Sequence, residues 1–541
     1  MIELGRFKRQ IAIALAVVGG VLAVAVLRQA ADTVLRTTTG ADPAAIFNEA
    51  PPPPSELLEV IAWRPDPPRD GRQMEPNTRR GITDAYARAL AALDRAGAGD
   101  LDAPLREYFG GAGYEIAREA AAAADAVRTR TFHLEQQLEL GFYSDDGSIV
   151  GVDVPMVEIV RVLDRDDGTP HVAWSSETWR FVMVLEDGNW RVHQLEIVDV
   201  TTAQARSAPI ELDGRLRGAN TVTVNDVDPT WSGYDPEAGA AELDAVQDLG
   251  LDTVRVFLAA PQVGVVDTDA LTEFLDAAAA RDVAVVPVLF DGRGDHSVDE
   301  WRPDHAYLDR VVGALAAHEA IVMWDVKNEP DLDDERSGGA VVVDAWIDRV
   351  ASRVRAIDPT TPLTVGWSEA AHAHRALDAI DVVSFHHFGD AAELEQGISA
   401  LTPRVGDRQI VVSEFGRPAW LGFVRGDQPA AQARRVDELI DVIRGHELAG
   451  SIVWVLQDPD RPLEPGIVAG RASASYGLLE ADGSRRPVWD VVASDGRDDI
   501  AGPGLVERLR SAPLLIMGAS AVVVLAVSAL WFMRRRRLIE T

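Results

Sequence analysis

Two kinds of periodicity divide this chain. Over residues 81–96 apolar side chains recur at helical spacing, and an Ala-rich stretch over 114–127 predicts a second helix. Thr83 or Asp84 is the expected cap of the first. The period then falls to two. Residues 131–143, 156–164, 171–185 and 189–200 alternate apolar with polar positions, and Asp187-Gly188 falls at the turn between the last two runs. Helices followed by a meander of long antiparallel strands predict a small α+β domain over 55–205. His133, His171 and His193 lie on these strands without metal-ligand spacing and read as ordinary strand residues.

From residue 208 the pattern changes again, to short unbroken apolar runs separated by helical stretches such as 238–249 and 268–280. Runs at 283–290, 363–367, 381–388 and 451–456 read as buried strands. Two further runs end on a glutamate. The run beginning at Ile321 stops at Asn328-Glu329-Pro330, where the proline cannot continue a hydrogen-bond ladder, so Glu329 sits at a sheet rim. The run at 410–412 stops at Ser413-Glu414-Phe415-Gly416. A (β/α)8 barrel of ~250 residues spends ~31 on each strand-helix unit, so three units span roughly 90; here 414 − 329 = 85, the interval between strands four and seven. Two strand-end glutamates at one mouth are what glycoside hydrolysis needs, one to protonate the leaving oxygen and one to attack or to activate water. Either glutamate alone would read as a surface acid or a helix cap.

Trp324, Asn328, Glu329 and Pro330, with Glu414 and Gly416, form motifs in which the chain resembles the retaining glycoside hydrolases of clan A, family 5-like, the cellulase and mannanase type. The resemblance implies an α/β fold, a (β/α)8 TIM barrel over 208–495, with Glu329 as acid/base and Glu414 as nucleophile. It implies a first strand at Leu216 to Asn220 and a second at Thr253 to Phe257, whose Arg255 supports the nucleophile. An arginine inside an apolar strand needs a carboxylate partner, and a structural ion pair at the barrel bottom is the other reading of Arg255. Asn328 is expected to hydrogen-bond the sugar 2-hydroxyl, His386 to stand beside the glutamates, and Trp454 to floor the sugar site. His387 faces the other side of its strand. Glu329 is expected to hold its proton, encouraged by burial and the charge of Glu414. Trp231, Trp367 and Trp420 are candidates for stacking on sugar faces. The chain departs from the family at Phe388, where a tyrosine is frequent, and after strand three, where Phe290-Asp291-Gly292 leaves His296 as a loose candidate. The hairpin at 179–192 resembles the end of nuclear-transport-factor-2-like domains, which implies ligand binding in a cone or a docking role.

Composition narrows the picture. The 541 residues are 47% apolar, enough for more than one core, and the net charge of −34 argues against nucleic acid. Cysteine is absent, so disulfides and thiolate metal sites are excluded, and neither a cofactor nor a metal is implied. Lysine occurs only at Lys8 and Lys327. Both ends carry apolar segments with basic flanks: 11–27 follows Arg6, Lys8 and Arg9, and 514–533 precedes Arg534 to Arg537. Each has the ~20 residues of a spanning helix, and the positive-inside rule puts both basic flanks in the cytoplasm and the intervening chain outside. The first segment reads alternatively as a cleaved signal peptide. Residues 29–54 are then a linker with a polyproline spacer, and 496–512 a tether. The expected function is a membrane-anchored extracellular glycosidase acting on a polysaccharide or cell-envelope glycan; the alternative is a non-catalytic carbohydrate-binding receptor or envelope scaffold on a degenerate barrel.

Overall fold

The computed structural model describes residues 51–66, 72–100, 102–123, 128–164, 170–201, 208–222, 228–461, 463 and 467–495. The expected membrane segments at 10–28 and 513–533 lie outside the described residues; among the described residues no helix is long and apolar enough to cross a membrane. The chain divides into two units, the first built mainly from the residues before 206 and the second from most of the rest.

In the first unit a five-stranded sheet has the order β1-β2-β3-β4-β5, from β1 (Ile61–Trp63), β2 (Thr129–Tyr143), β3 (Ile149–Asp164), β4 (Pro170–Glu186) and β5 (Asn189–Thr201). β2 to β5 pair antiparallel and β1 joins β2 in parallel. Asp187 (φ 49°) and Gly188 (φ 82°) both take positive φ, as the two-residue hairpin between β4 and β5 requires. The helix Pro76–Gly97 starts earlier than the apolar spacing indicates, with Pro76 in its first turn. The expected caps Thr83 and Asp84 therefore lie mid-helix, where the Thr83 hydroxyl donates back to the Arg79 carbonyl at 2.9 Å and accepts from Trp63 Nε1. The second predicted helix runs over Gly111–Ala123. Ile82, Ala87 and Leu90 of the long helix bury with Leu138, Val152 and Phe181 of the sheet, and Tyr86 stacks on Phe181 at 4.4 Å. The Tyr86 hydroxyl donates to Gln136 at 2.7 Å, Gln136 meets His133 at 2.8 Å, and His133 meets Asp94 at 3.0 Å. His133 thus completes a buried polar chain, in keeping with a structural role.

The second unit is a closed parallel barrel of eight strands: β6 (Leu216–Asn220), β7 (Thr253–Ala259), β8 (Ala284–Asp291), β9 (Trp324–Asn328), β10 (Leu363–Trp367), β11 (Val383–His387), β12 (Ile410–Phe415) and β13 (Gly450–Val453). β13 closes on β6 through the register Gly450↔Leu216 to Val453↔Ala219. Closure leaves no sheet edge, and side chains must fill the interior. At the N-terminal end Leu212, Leu216, Val286, Met323, Val382 and Val411 form an apolar plug. Asn220, Asn328, His386 and Glu414 lie toward the opposite, C-terminal ends of their strands. Asp235 and Asp267 start the outer helices Pro236–Asp248 and Thr268–Ala279 by accepting backbone N–H bonds, and Asp390 with Glu393 forms a reciprocal capping pair at the helix Ala391–Val405.

Candidate active site

Arg255, from the middle of β7, is fully buried and anchors the C-terminal end of the barrel. Its Nε and Nη2 donate to Asp325 Oδ2 at 3.0 and 2.9 Å, Nη2 also to Asn328 Oδ1 at 2.8 Å, and Nη1 to Asn220 Oδ1 at 2.9 Å and Glu414 Oε1 at 2.6 Å. A guanidinium has five N–H donors, and here five bonds use them. One cation stands between two buried carboxylates, which offsets the desolvation that either charge alone would suffer. Asn220 is itself held by donating Nδ2 to the Ser413 carbonyl at 2.9 Å. Because Asn328 turns its oxygen to Arg255, its Nδ2 remains available as a donor.

Glu329 follows β9 directly and adopts a left-handed backbone (φ 46°, ψ 51°), an uncommon conformation for a residue with a side chain. Its N–H donates to the Gly366 carbonyl at 2.6 Å, and Pro330 then begins a tight helical turn. His386, at the end of β11, is buried with Nδ1 2.9 Å from Glu329 Oε1 and 3.6 Å from Glu414 Oε2. One carboxylate oxygen of Glu329, one of Glu414 and one imidazole nitrogen of His386 lie within 4.8 Å of one another. Such a trio could ligate a metal, but Arg255 already places a positive charge on Glu414. His387 instead contacts the Asp390 carbonyl.

Burial pushes the Glu414 carboxyl above its ordinary range, against the opposing charges of His386 and Arg255. Burial acts the same way on Glu329, yet the hydrogen bond and charge of His386 outweigh it and hold that carboxyl below its ordinary range. This reverses the order expected from the sequence, in which Glu329 keeps the proton. The physical reason is that His386 lies closer to Glu329 than to Glu414.

Gly366 of β10 permits this packing. A Cβ there would stand 2.9 Å from Arg255 Nη2, 2.9 Å from His386 Nε2 and 3.0 Å from Asp325 Oδ2. Asp291, ending β8, is pushed up by burial against the charges of Lys327 and Arg255, and Lys327 sits between the Asn328 carbonyl and Asp333 (3.9 Å). Trp454, half-buried, lies edge-on to Phe257 at 5.9 Å.

The other aromatic candidates resolve differently. Trp231, Trp367 and Trp420 are 1%, 0% and 3% exposed, so none offers a free face to a sugar. Trp231 donates Nε1 to the Phe257 carbonyl at 3.0 Å, and Arg375 covers Trp367 as Arg471 covers Trp420. Phe388 is 41% exposed and meets Tyr476 edge-on at 5.7 Å. His296 belongs to the first unit, its ring against Trp346. Asp325 and Gly366 were not singled out by sequence reasoning. The signal for Asp325 was an acid inside an apolar strand, the mirror of the argument applied to Arg255.

No protein-family model matches the chain. Residues of the chain are similar to the β-glucuronidase of Chlorocebus aethiops, 21% identical over 187 residues, which is 31% of this chain and 28% of that protein. The chain thus aligns with under a third of that relative. Among solved structures it is similar to GH5_18 from Streptomyces cattleya in complex with GlcNAc (20% identical, TM-score 0.43, covering 57% of this chain and 83% of that one). It is also similar to the exo-β-1,4-mannosidase Op5Man5 of Opitutaceae bacterium strain TAV5 (19% identical, TM-score 0.44, 54% and 61%). A third is the GH2 β-galacturonidase of Eisenbergiella tayi bound to galacturonate (12% identical, TM-score 0.40, 68% and 71%).

Proposed function

We propose that this chain is a retaining β-glycoside hydrolase. The observation that carries the reading is the approach of Glu329 and Glu414 to within 4.8 Å on the ends of two barrel strands. Retaining enzymes hold their two carboxyl groups ~5–5.5 Å apart, whereas inverting enzymes leave ~6.5–9.5 Å for a water.

Glu414 attacks the anomeric carbon while Arg255 fixes its other oxygen. As that bond forms, the glycosidic bond breaks, and the leaving oxygen takes the proton of Glu329. Water then gives a proton to Glu329 and attacks the same carbon, and the ester to Glu414 breaks. Asn328, with Nδ2 free, donates to the sugar beside the reacting carbon. Substrate entry supplies the proton order that the free site lacks. A bound sugar strips water from the part-exposed Glu329 and raises its carboxyl, while positive charge developing at the anomeric carbon favours ionised Glu414. His386, hydrogen-bonded to Glu329 through Nδ1, positions that carboxyl toward the reacting bond.

The apolar segments 11–27 and 514–533, with their basic flanks, support tethering of this hydrolase to a membrane with the barrel outside. The reaction is tested by treating the full chain with activated fluorosugar β-glycosides and mapping the adduct. A glycosyl ester on Glu414 is expected; no adduct and no hydrolysis across a panel of β-glycans refutes the proposal.

A further inference from the structure

The end of β8, where Asp291 stands, is used by none of the steps above. β8 and β7 keep step up to the pair Phe257↔Val288, after which Ala259, two residues on, pairs with Asp291, three residues on. The extra residue is a bulge, a device that re-aims side chains at barrel rims. Phe290 within it takes a left-handed backbone (φ 55°), as Glu329 does at the end of β9. For a bulky residue such backbone is strained, and it clusters at sites of function. In an unbroken strand Phe290 would follow Val286 and Val288 into the barrel, and Asp291 would face outward. The bulge exchanges them. The Phe290 ring lies 4.6 Å from that of Tyr307 on the outer helix Asp304–Leu315. Asp291 instead takes the side of its partner Ala259, the side of β7 that also carries Phe257 and Arg255, whose guanidinium lies over the Phe257 ring at 5.0 Å.

Asp291 thus faces the mouth of the barrel. It is half-buried, and the register Val288↔Asp325 brings it beside Lys327 and Asn328 of β9. The backbone N–H of Gly292 donates to its carboxyl, and among the described residues no side chain does. The two cations whose charge bears on it are bonded elsewhere: Lys327 lies between the Asn328 carbonyl and Asp333, and Arg255 holds Asn220, Asp325, Asn328 and Glu414. An ionised carboxylate accepts at about four positions, so most of those on Asp291 are open toward the sugar site. A group that only accepts calls for a donor, and the donors a sugar ring carries are its hydroxyls. Bonds to a charged acceptor are the strong ones, which makes such a contact discriminating.

We propose that Asp291 is a specificity-determining residue of the site: its carboxyl accepts a hydrogen bond from a hydroxyl of the ring transferred to Glu414, one other than the hydroxyl held by Asn328, and a ring on which that hydroxyl is missing or substituted is refused. The inference rests on the hydrolase reading for the ring that is transferred, and it narrows the substrate to glycans whose ring is unsubstituted at that position.

The test is kcat/KM of the full chain in neutral micelles on 4-nitrophenyl β-glucoside, β-mannoside and β-galactoside, and then on the 3-, 4- and 6-deoxy forms of whichever is cut fastest. Loss of one of these hydroxyls, or of two neighbouring ones, should cost the wild type about ten- to hundredfold while the other deoxy forms react normally. Asp291→Ala should lose a similar factor on the parent glycoside and nothing further on the deoxy form that the wild type refuses, with Tm unchanged. Asp291→Asn keeps the shape of the side chain, and it decides the matter if the alanine variant does not fold: it too should lose most on the parent and little on that deoxy form. Wild-type kcat/KM in the variants, or a loss that repeats in full on every deoxy form, would overturn the proposal, the second because it assigns Asp291 to structure or to the general field of the site. Either result obtained with an active wild type sinks the contact and spares the hydrolase. A wild type that cuts none of these glycosides and none of a panel of β-glycans sinks the hydrolase reading itself, and the contact with it.

Discussion

Adding one methyl group at Gly366 should disable the site without touching either glutamate. In Gly366→Ala the new carbon would stand 2.9 Å from Arg255 Nη2, 2.9 Å from His386 Nε2 and 3.0 Å from Asp325 Oδ2. Comfortable nonbonded separations for such pairs are ~3.5 Å, so about half an ångström must be found against three groups at once. None gives way easily: Arg255 is held by five bonds, and His386 and Asp325 are buried. Overpacking of this kind costs ~1–3 kcal/mol of stability. A reacting group misplaced by ~1 Å costs ~10²-fold in rate, so a shift of half that should lower kcat/KM about tenfold or more. The assay is kcat/KM on an activated aryl β-glycoside with Tm measured in parallel. Gly313→Ala is the control, because its Cβ meets nothing within 4 Å on an exposed helical face; it should gain ~0.4–1 kcal/mol and keep full activity. Wild-type kcat/KM and Tm in Gly366→Ala would refute the packing argument.

Three more outcomes are expected. Glu414→Ala should nearly abolish hydrolysis, with azide restoring turnover to a product of inverted configuration, whereas Glu329→Ala should still react with activated aryl glycosides and give the retained azide product; the opposite stereochemistry in either reverses the roles. Asp325→Asn leaves the Arg255 charge to Glu414 alone, so the Glu414 carboxyl should ionise at lower pH, moving the acid limb of kcat/KM downward at a cost of ~1–3 kcal/mol in stability; an unmoved limb argues that the two carboxylates do not share the cation. Glu242 is buried with the Thr221 hydroxyl as partner, and burial pushes its carboxyl up to about 8. Its folded value lies above the unfolded one, so the folded state binds more protons; this stability is present below the ordinary glutamate range and is lost as pH rises through about 8. Glu242→Gln should flatten the fall of Tm between pH 5 and 8, and a fall identical to wild type would assign it to other groups.

Strand positions were legible where polar residues bound an apolar run on both sides, and β10 coincides with its expectation residue for residue. The start of the long helix was not, because Glu75 before it collects Arg72, Thr78 and Tyr143, the last of these 68 residues away. Glu329 and Glu414 were readable because a proline and a glycine mark the strand ends. That Arg255 needs an acid was readable too, but not that Asp325, 70 residues on, shares it with Glu414. Tryptophans near strand ends look alike in sequence whether they line a groove or fill a core, so Trp231, Trp367 and Trp420 could not be sorted until their exposure was known. The reversed proton order of the glutamates depends on distances to His386, which no one-dimensional pattern encodes.

With every donor of Arg255 committed inside the barrel, that residue has nothing left to offer a ligand. Arg255 is thus wired to the barrel itself, and of the two amides it holds only Asn328 keeps its Nδ2 outside the network. On the hydrolase reading, discrimination between substrates then falls to Asn328, to Asp291 and to the loops around the mouth, and those loops could be exchanged without disturbing the bonds from Arg255 to Asp325 and Glu414.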